Sequence, residues 1–138
     1  MMKKLTLLNS IICNDESLAV QYYAFTKVLG EKPYVGEKYE LQKIFNEKYN
    51  SEIVKKESGL LRIRFMVNCE SKSGRFRMIG MGENYKEKEF DTSITDQLLS
   101  ITENSVKWKP FKTNNAQRDY YMYLIFKLEK GIITEILP

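Results

Sequence analysis

The acidic side chains are the first candidates for chemistry, because this chain of 138 residues contains no histidine. Histidine is the most common general base and metal ligand, so its absence removes most histidine-dependent hydrolysis and most zinc sites. Carboxylates that could act as acid and base remain at Asp15 and Glu16, and at Glu83, Glu87 and Glu89. Both groups stand among lysines and asparagines, which is typical of solvated loops. We therefore expect no catalytic residue, no metal site and no cofactor.

The two cysteines, Cys13 and Cys69, are the second candidates for chemistry. Their wide separation excludes a CxxC redox pair and a metal site with four cysteine ligands. They form either two buried thiols or one disulfide, and the residues leave this choice open. A disulfide would require an oxidising compartment and would contribute on the order of 4 kcal/mol to stability.

Basic and aromatic side chains alternate with apolar ones in three segments that read as strands. Six of them would share the polar face of a sheet: Arg62, Arg64, Arg75, Arg77, Tyr121 and Tyr123. Such a face can bind single-stranded nucleic acid through phosphate contacts and base stacking. It is also typical of cross-strand pairs on a solvated face, worth about 0.2–1 kcal/mol each. We favour the solvated face, because no Gly-aromatic RNA-binding motif is present and the net charge is only +4.

Apolar residues at helical spacing predict three helical regions that must position these side chains. Their apolar stripes are Leu18, Tyr22, Phe25 and Leu29; Leu41, Ile44 and Phe45; and Ile94, Leu98 and Ile101. The first region is one broken helix or two short ones, with Asn14 or Asp15 as the N-cap. The third begins at Asp91 or Ser93, with Asp96 spaced from Ser93 as in a capping box.

Apolar residues at every second position predict four strands in two hairpins. The strands run from Leu60 to Cys69, through Phe76 and Met78, from Tyr120 to Leu128 and from Ile132 to Ile136. The predicted fold is α+β, with one antiparallel sheet of about three to four strands and helices packed on one face. We expect residues 1–35 to form a helical N-terminal extension and residues 36–138 to form one domain.

The order of these features resembles the TonB carboxy-terminal domain family. The similarity covers about residues 41–128 and includes Gly59 before the first strand, Gly74 in the hairpin, Trp108 and Pro110 after the helix, and the apolar strand from Tyr120. It implies the family's fold, a periplasmic or other cell-envelope setting, and a partner peptide that adds a strand to the sheet edge. The chain has neither the family's membrane anchor nor its Pro-rich spacer, so energy transduction to outer-membrane transporters is not implied.

The last predicted strand is the candidate binding edge, formed by Ile132, Ile133, Thr134, Glu135 and Ile136. An outermost strand offers unpaired N–H and C=O groups to an extended peptide. The alternative is a hairpin strand that merely completes the sheet. We expect a non-enzymatic protein-interaction module of the cell envelope with a protein or peptide partner. A nucleic-acid-binding sheet and a small enzyme that uses the glutamates are the alternatives.

The first residues, up to Cys13, resemble a bacterial signal peptide with two lysines before an apolar run. Asn9 and Ser10 interrupt that run, and the residues before Cys13 are not small. We therefore favour a short amphipathic helix, although a signal remnant remains the alternative. No segment reaches the roughly 18 apolar residues of a membrane-spanning helix, so we expect no membrane span.

Overall fold

The computed structural model describes residues 12–13, 19–113 and 117–138. Within these ranges the elements are β1 (Val20–Gln21), α1 (Tyr22–Leu29), α2 (Lys38–Lys48), β2 (Gly59–Val67), β3 (Ser73–Met81), α3 (Thr92–Asn104), β4 (Phe111–Lys112), β5 (Gln117–Arg118), β6 (Tyr120–Glu129) and β7 (Ile132–Leu137). The predicted signal or helical segment up to residue 11 lies outside the described residues, as do the candidate acids Asp15 and Glu16. The fold is mixed α and β, with helices and a multi-stranded sheet.

The main sheet contains five strands in the described part of the chain. Strand β6 is central: it pairs with β2 on one side, and with β1 and then β7 on the other, while β3 lies outside β2. The prediction of a purely antiparallel sheet of three to four strands is wrong, because Val20 and Gln21 pair in parallel with Tyr120 and Tyr121. A strand of two residues is too short to show alternation in the sequence.

The inner face of the sheet carries the apolar residues that the alternation predicts. In the pairing of β2 with β6, Leu61 lies opposite Phe126 and Ile63 opposite Leu124, and all four are buried. Helices α2 and α3 pack on this face, where the ring of Phe45 lies 4.9 Å from that of Phe126. The second and third predicted helices are thus confirmed, and burial of their apolar stripes explains why they form.

Asp91 caps the start of α3. Its carboxylate accepts a hydrogen bond of 3.0 Å from the Ser93 amide. Hydrogen bonds from the Ser93 hydroxyl and amide hold the pKa of Asp91 below its ordinary value. Ser93 lies inside the first turn, so the predicted capping box between Ser93 and Asp96 does not form.

The predicted N-terminal extension includes a strand as well as a helix. Strand β1 joins the sheet, and the following helix α1 buries Phe25, whose ring lies 4.9 Å from that of Tyr120. Gly30 ends the helix with φ of 69° and donates its amide to the Thr26 carbonyl. The described part of this segment therefore belongs to the same hydrophobic core as the rest of the chain.

Trp108 marks the exit from α3 and is buried in the core. Its Nε1 donates a hydrogen bond of 2.9 Å to the Thr102 carbonyl, and its ring lies 4.9 Å from that of Phe65. The Tyr120 hydroxyl donates to the Lys109 carbonyl at 2.6 Å, and burial raises the pKa of Tyr120. These contacts fix the exit from α3 against the start of β6.

A disulfide joins Cys13 to Cys69 just beyond the end of β2, with a Cα–Cα distance of 6.1 Å. The Cys13 amide also donates to the carboxylate of the buried Asp119 at 2.9 Å. The neighbouring Asn68 is buried, and its Oδ1 accepts hydrogen bonds from the amides of Glu70 and Lys72. Both contacts of Cys13 are therefore with residues at this end of the β2–β6 pair.

Replacing both cysteines by serine should lower the free energy of unfolding by about 4 kcal/mol, because the disulfide spans 56 residues and restricts the unfolded chain. Urea denaturation followed by circular dichroism compares the oxidised protein with the variant. Dithiothreitol should destabilise the wild type and leave the variant unchanged. Equal urea midpoints for the oxidised protein and the variant would contradict this prediction.

Candidate functional site

Strand β7 lies at one edge of the main sheet. One of its sides pairs antiparallel with β6, and no strand in the described part of the chain pairs with its other side. The Ile132 side chain is 53% exposed, and Thr134 and Glu135 are exposed, whereas Ile136 is buried in the core. The structure thus brings the five predicted edge residues into one short strand that is anchored by apolar contacts and open along its outer side.

The turn before β7 determines which of its backbone groups face outward. Lys130 and Gly131, with φ of 52° and 82°, form a two-residue hairpin turn between Glu129 and Ile132. In such a hairpin the two flanking residues exchange the first hydrogen bonds, so the next residue directs its N–H and C=O away from the partner strand. The outward residue is Ile133.

A bulge follows in β7, where the register with β6 shifts between Lys127 and Leu128. Thr134 is the additional residue, and its hydroxyl donates to the Lys127 carbonyl at 3.3 Å. Bulges increase the local twist of a strand and limit the length of flat edge that is open for pairing. The sequence pattern gave no sign of this bulge, since a single added residue in so short a strand leaves no clear break in alternation.

Three hydrogen bonds hold the turn before β7 against the rest of the domain. The Tyr49 hydroxyl donates to the Gly131 carbonyl at 2.7 Å, the Gly131 amide donates to the Glu57 carbonyl at 2.8 Å, and the Lys130 amide donates to the Ser58 hydroxyl at 2.9 Å. A Cβ at Gly131 would lie 2.7 Å from a methyl group of Val54, so this position requires glycine. The edge strand therefore begins from a fixed point.

Five of the six predicted Arg and Tyr residues come together on the outer face of the sheet. The guanidinium of Arg62 lies 4.9 Å from the ring centre of Tyr123, and that of Arg64 lies 4.3 Å from the ring centre of Tyr121. Arg64 is also directly opposite Arg77 in the β2–β3 pairing. We call these five residues the arginine face.

Arg75, the sixth predicted residue, lies at a bulge in β3. The register changes from Arg64 opposite Arg77 to Met66 opposite Gly74, so β3 has one extra residue here. Arg75 adopts a backbone φ of 55°, a conformation that residues other than glycine rarely take. The simple alternation that placed Arg75 beside Arg77 is therefore interrupted, and this positive φ could not be read from the sequence.

A cavity of about 180 Å³ opens on the arginine face and is lined by Arg62, Arg64, Arg77 and Ile79. None of the three arginines forms an ion pair within the described part of the chain. Because guanidinium groups lie over the rings of Tyr121 and Tyr123, one face of each ring is covered. Both rings are half-buried, and the ring of Tyr22 contacts that of Tyr123 edge-on at a centroid distance of 5.3 Å. Less ring surface is therefore left on which a nucleic acid base could stack.

The glutamates of the 82–90 loop are exposed, and two of them, Glu87 and Glu89, line a cavity together with Asp96 of α3. Glu83, Glu87 and Glu89 are all exposed, and Glu87 forms an isolated bridge with Met81. A cavity of about 530 Å³ lies between the end of β3, this loop and α3. Sequence reasoning missed it, because only the folded chain brings β3 and α3 together. Among the described residues, no group of three or more His, Cys, Asp or Glu side chains could hold a metal ion.

No protein-family model matches the chain, and no curated protein or solved structure matches it significantly. In the part of the chain that the structure describes, no helix is both long and apolar enough to cross a membrane.

Alkaline pH should destabilise the fold partly through Tyr49, because burial raises the pKa of Tyr49 to about 12 from an ordinary value of 10.0. Below pH 10 the Tyr49 hydroxyl keeps its proton in both the folded and the unfolded state, so its full contribution to stability is present there. Between pH 10 and about pH 12 the unfolded state loses the proton first, and the free energy of unfolding falls. Urea titrations across this pH range should show that the free energy of unfolding falls less steeply with pH in Tyr49→Phe than in the wild type. The exposed Tyr39→Phe variant serves as the control, and parallel curves for Tyr49→Phe and the wild type would refute the assignment.

Proposed function

We propose that this chain is a non-enzymatic protein-interaction domain of the cell envelope, similar in fold to the TonB carboxy-terminal domain, that binds an extended partner segment along β7. The observation that carries the proposal is the open outer side of β7, where Ile133 directs its backbone groups away from β6. An extended segment that pairs there satisfies these groups and extends the sheet.

The side chains of β7 support the same proposal. Ile132 is exposed beside the edge and offers apolar surface to an incoming strand, while Glu135 is the only charged side chain in the strand. Edge strands that avoid pairing commonly carry lysine or proline, and neither occurs between Ile132 and Leu137. The bulge at Thr134 restricts the flat part of the edge, so we expect a short partner segment.

The disulfide between Cys13 and Cys69 supports the envelope setting. Disulfides persist in oxidising compartments such as the periplasm and are rare in the reducing cytosol. The pairing joins residues far apart in the chain, which favours a structural role over a transient redox role. Export of the chain is therefore part of the proposal.

Ile133→Pro should abolish binding of extended peptides and leave the hairpin intact. It removes an N–H group that points away from β6 and takes no part in the hydrogen bonds between β6 and β7. Peptides selected from a phage-displayed library supply the probes, and titration calorimetry measures their affinity. Ile133→Ala is the matched control, because it loses the same apolar contacts and keeps the amide. We expect the proline variant to bind these peptides at least about tenfold more weakly than the alanine variant.

Hydrogen exchange gives a second measurement of the same site. The selected peptide should protect the Ile133 amide in the wild-type protein, since a strand that pairs with β7 accepts a hydrogen bond from that group. Failure to select any peptide, or equal affinity of the proline and alanine variants for the selected peptides, would overturn the proposal.

A further inference from the structure

We infer that the arginine face is a second binding site, which takes an acidic segment of a partner protein through its carboxylates. The site is the cavity of about 180 Å³ lined by Arg62, Arg64, Arg77 and Ile79. It lies on the outer face of β2 and β3, across β6 from the β7 edge, so it is distinct from the edge described above.

The arginine face carries positive charge that no ion pair in the described part of the chain compensates. Arg64 and Arg77 are directly opposite each other on adjacent strands, and like charges at opposed positions destabilise a sheet. Neither these two nor Arg62 is neutralised by an ion pair in the described part of the chain. An anion in the cavity would interact favourably with all three guanidinium groups.

Two of the guanidinium groups are held against tyrosine rings before any ligand binds. Arg62 and Arg64 rest on tyrosine rings at 4.9 and 4.3 Å, and these contacts restrict long side chains that would otherwise lose entropy on binding. The planar guanidinium keeps N–H donors at its edges, in a fork that matches a carboxylate. The site is therefore suited to a planar, bidentate anion.

The covered tyrosine rings and the apolar wall of the cavity favour a protein over a nucleic acid as the carrier of the anion. Single-stranded nucleic acid is bound through stacking of bases on aromatic faces, and an arginine already lies over one face of each of the half-buried rings of Tyr121 and Tyr123. Ile79, which is 54% exposed, gives the cavity an apolar wall that can contact the methylene groups of Asp or Glu side chains.

The test measures fluorescence anisotropy of a labelled peptide of alternating Glu and Ser residues. The wild-type protein should bind it at low salt, and affinity should fall as salt rises. Arg77→Ala should weaken binding about tenfold, because Arg77 is exposed and its loss removes one charge from the cavity. Arg77→Lys keeps the charge and loses the planar guanidinium, so its affinity for the peptide should lie between those of the wild type and the alanine variant.

Lys127→Ala is the matched control. Lys127 is exposed on the same outer face, opposite Leu60, and its replacement removes the same charge away from the cavity. We expect its affinity for the peptide to stay within about twofold of the wild type. Equal losses for Arg77→Ala and Lys127→Ala would overturn the proposal, because they would indicate attraction by net charge alone.

Two further outcomes separate this site from its alternatives. An oligonucleotide with the same number of negative charges should bind more weakly than the peptide, and tighter binding of the oligonucleotide would overturn the proposal in favour of nucleic acid. Ile133→Pro should keep the wild-type affinity for the acidic peptide, even if that variant loses every peptide selected for the β7 edge. If Ile133→Pro no longer bound the acidic peptide, that peptide would bind at the β7 edge, and the second site would be refuted.

Discussion

The register between β2 and β6 is the constraint on which the rest of this structure depends. It places Leu61, Ile63 and Phe65 against the buried side chains of β6, and Arg62 and Arg64 on the opposite face. A shift of one residue would exchange the two faces, burying the arginines and exposing the core. The same register fixes the position of β6, on whose other side β1 and β7 pair. Both candidate sites therefore depend on one hydrophobic interface.

The parts of the fold that repeat a pattern over many residues could be predicted from the sequence. Alternation over β2 and β6, and the apolar stripes of α2 and α3, are long enough to identify strand and helix, because burial of one face imposes the period. Strand β1 could not be predicted, since it comprises two residues and exists only because β6 is beside it. The parallel pairing, and hence the mixed sheet, follows from that tertiary contact.

The candidate sites show the same division between local pattern and tertiary contact. The outer position of Arg62 and Arg64 follows from alternation, whereas their contacts with the rings of Tyr123 and Tyr121 depend on the cross-strand register. Arg75 departs from the pattern because a bulge gives it positive φ, which no propensity of arginine would indicate. The place of β7 beside β6 could be expected from the short turn between them, but its bulge could not.

The central pairing also has a consequence for how the chain reaches its native state. The hairpins β2–β3 and β6–β7 join neighbouring segments, whereas β2 and β6 are separated in the chain by β3, α3 and the short strands β4 and β5. Local hairpins form within microseconds, but contacts between distant segments must first overcome the entropy of closing the intervening chain. We therefore expect assembly of the β2–β6 interface, on which the main sheet is built, to limit the folding rate.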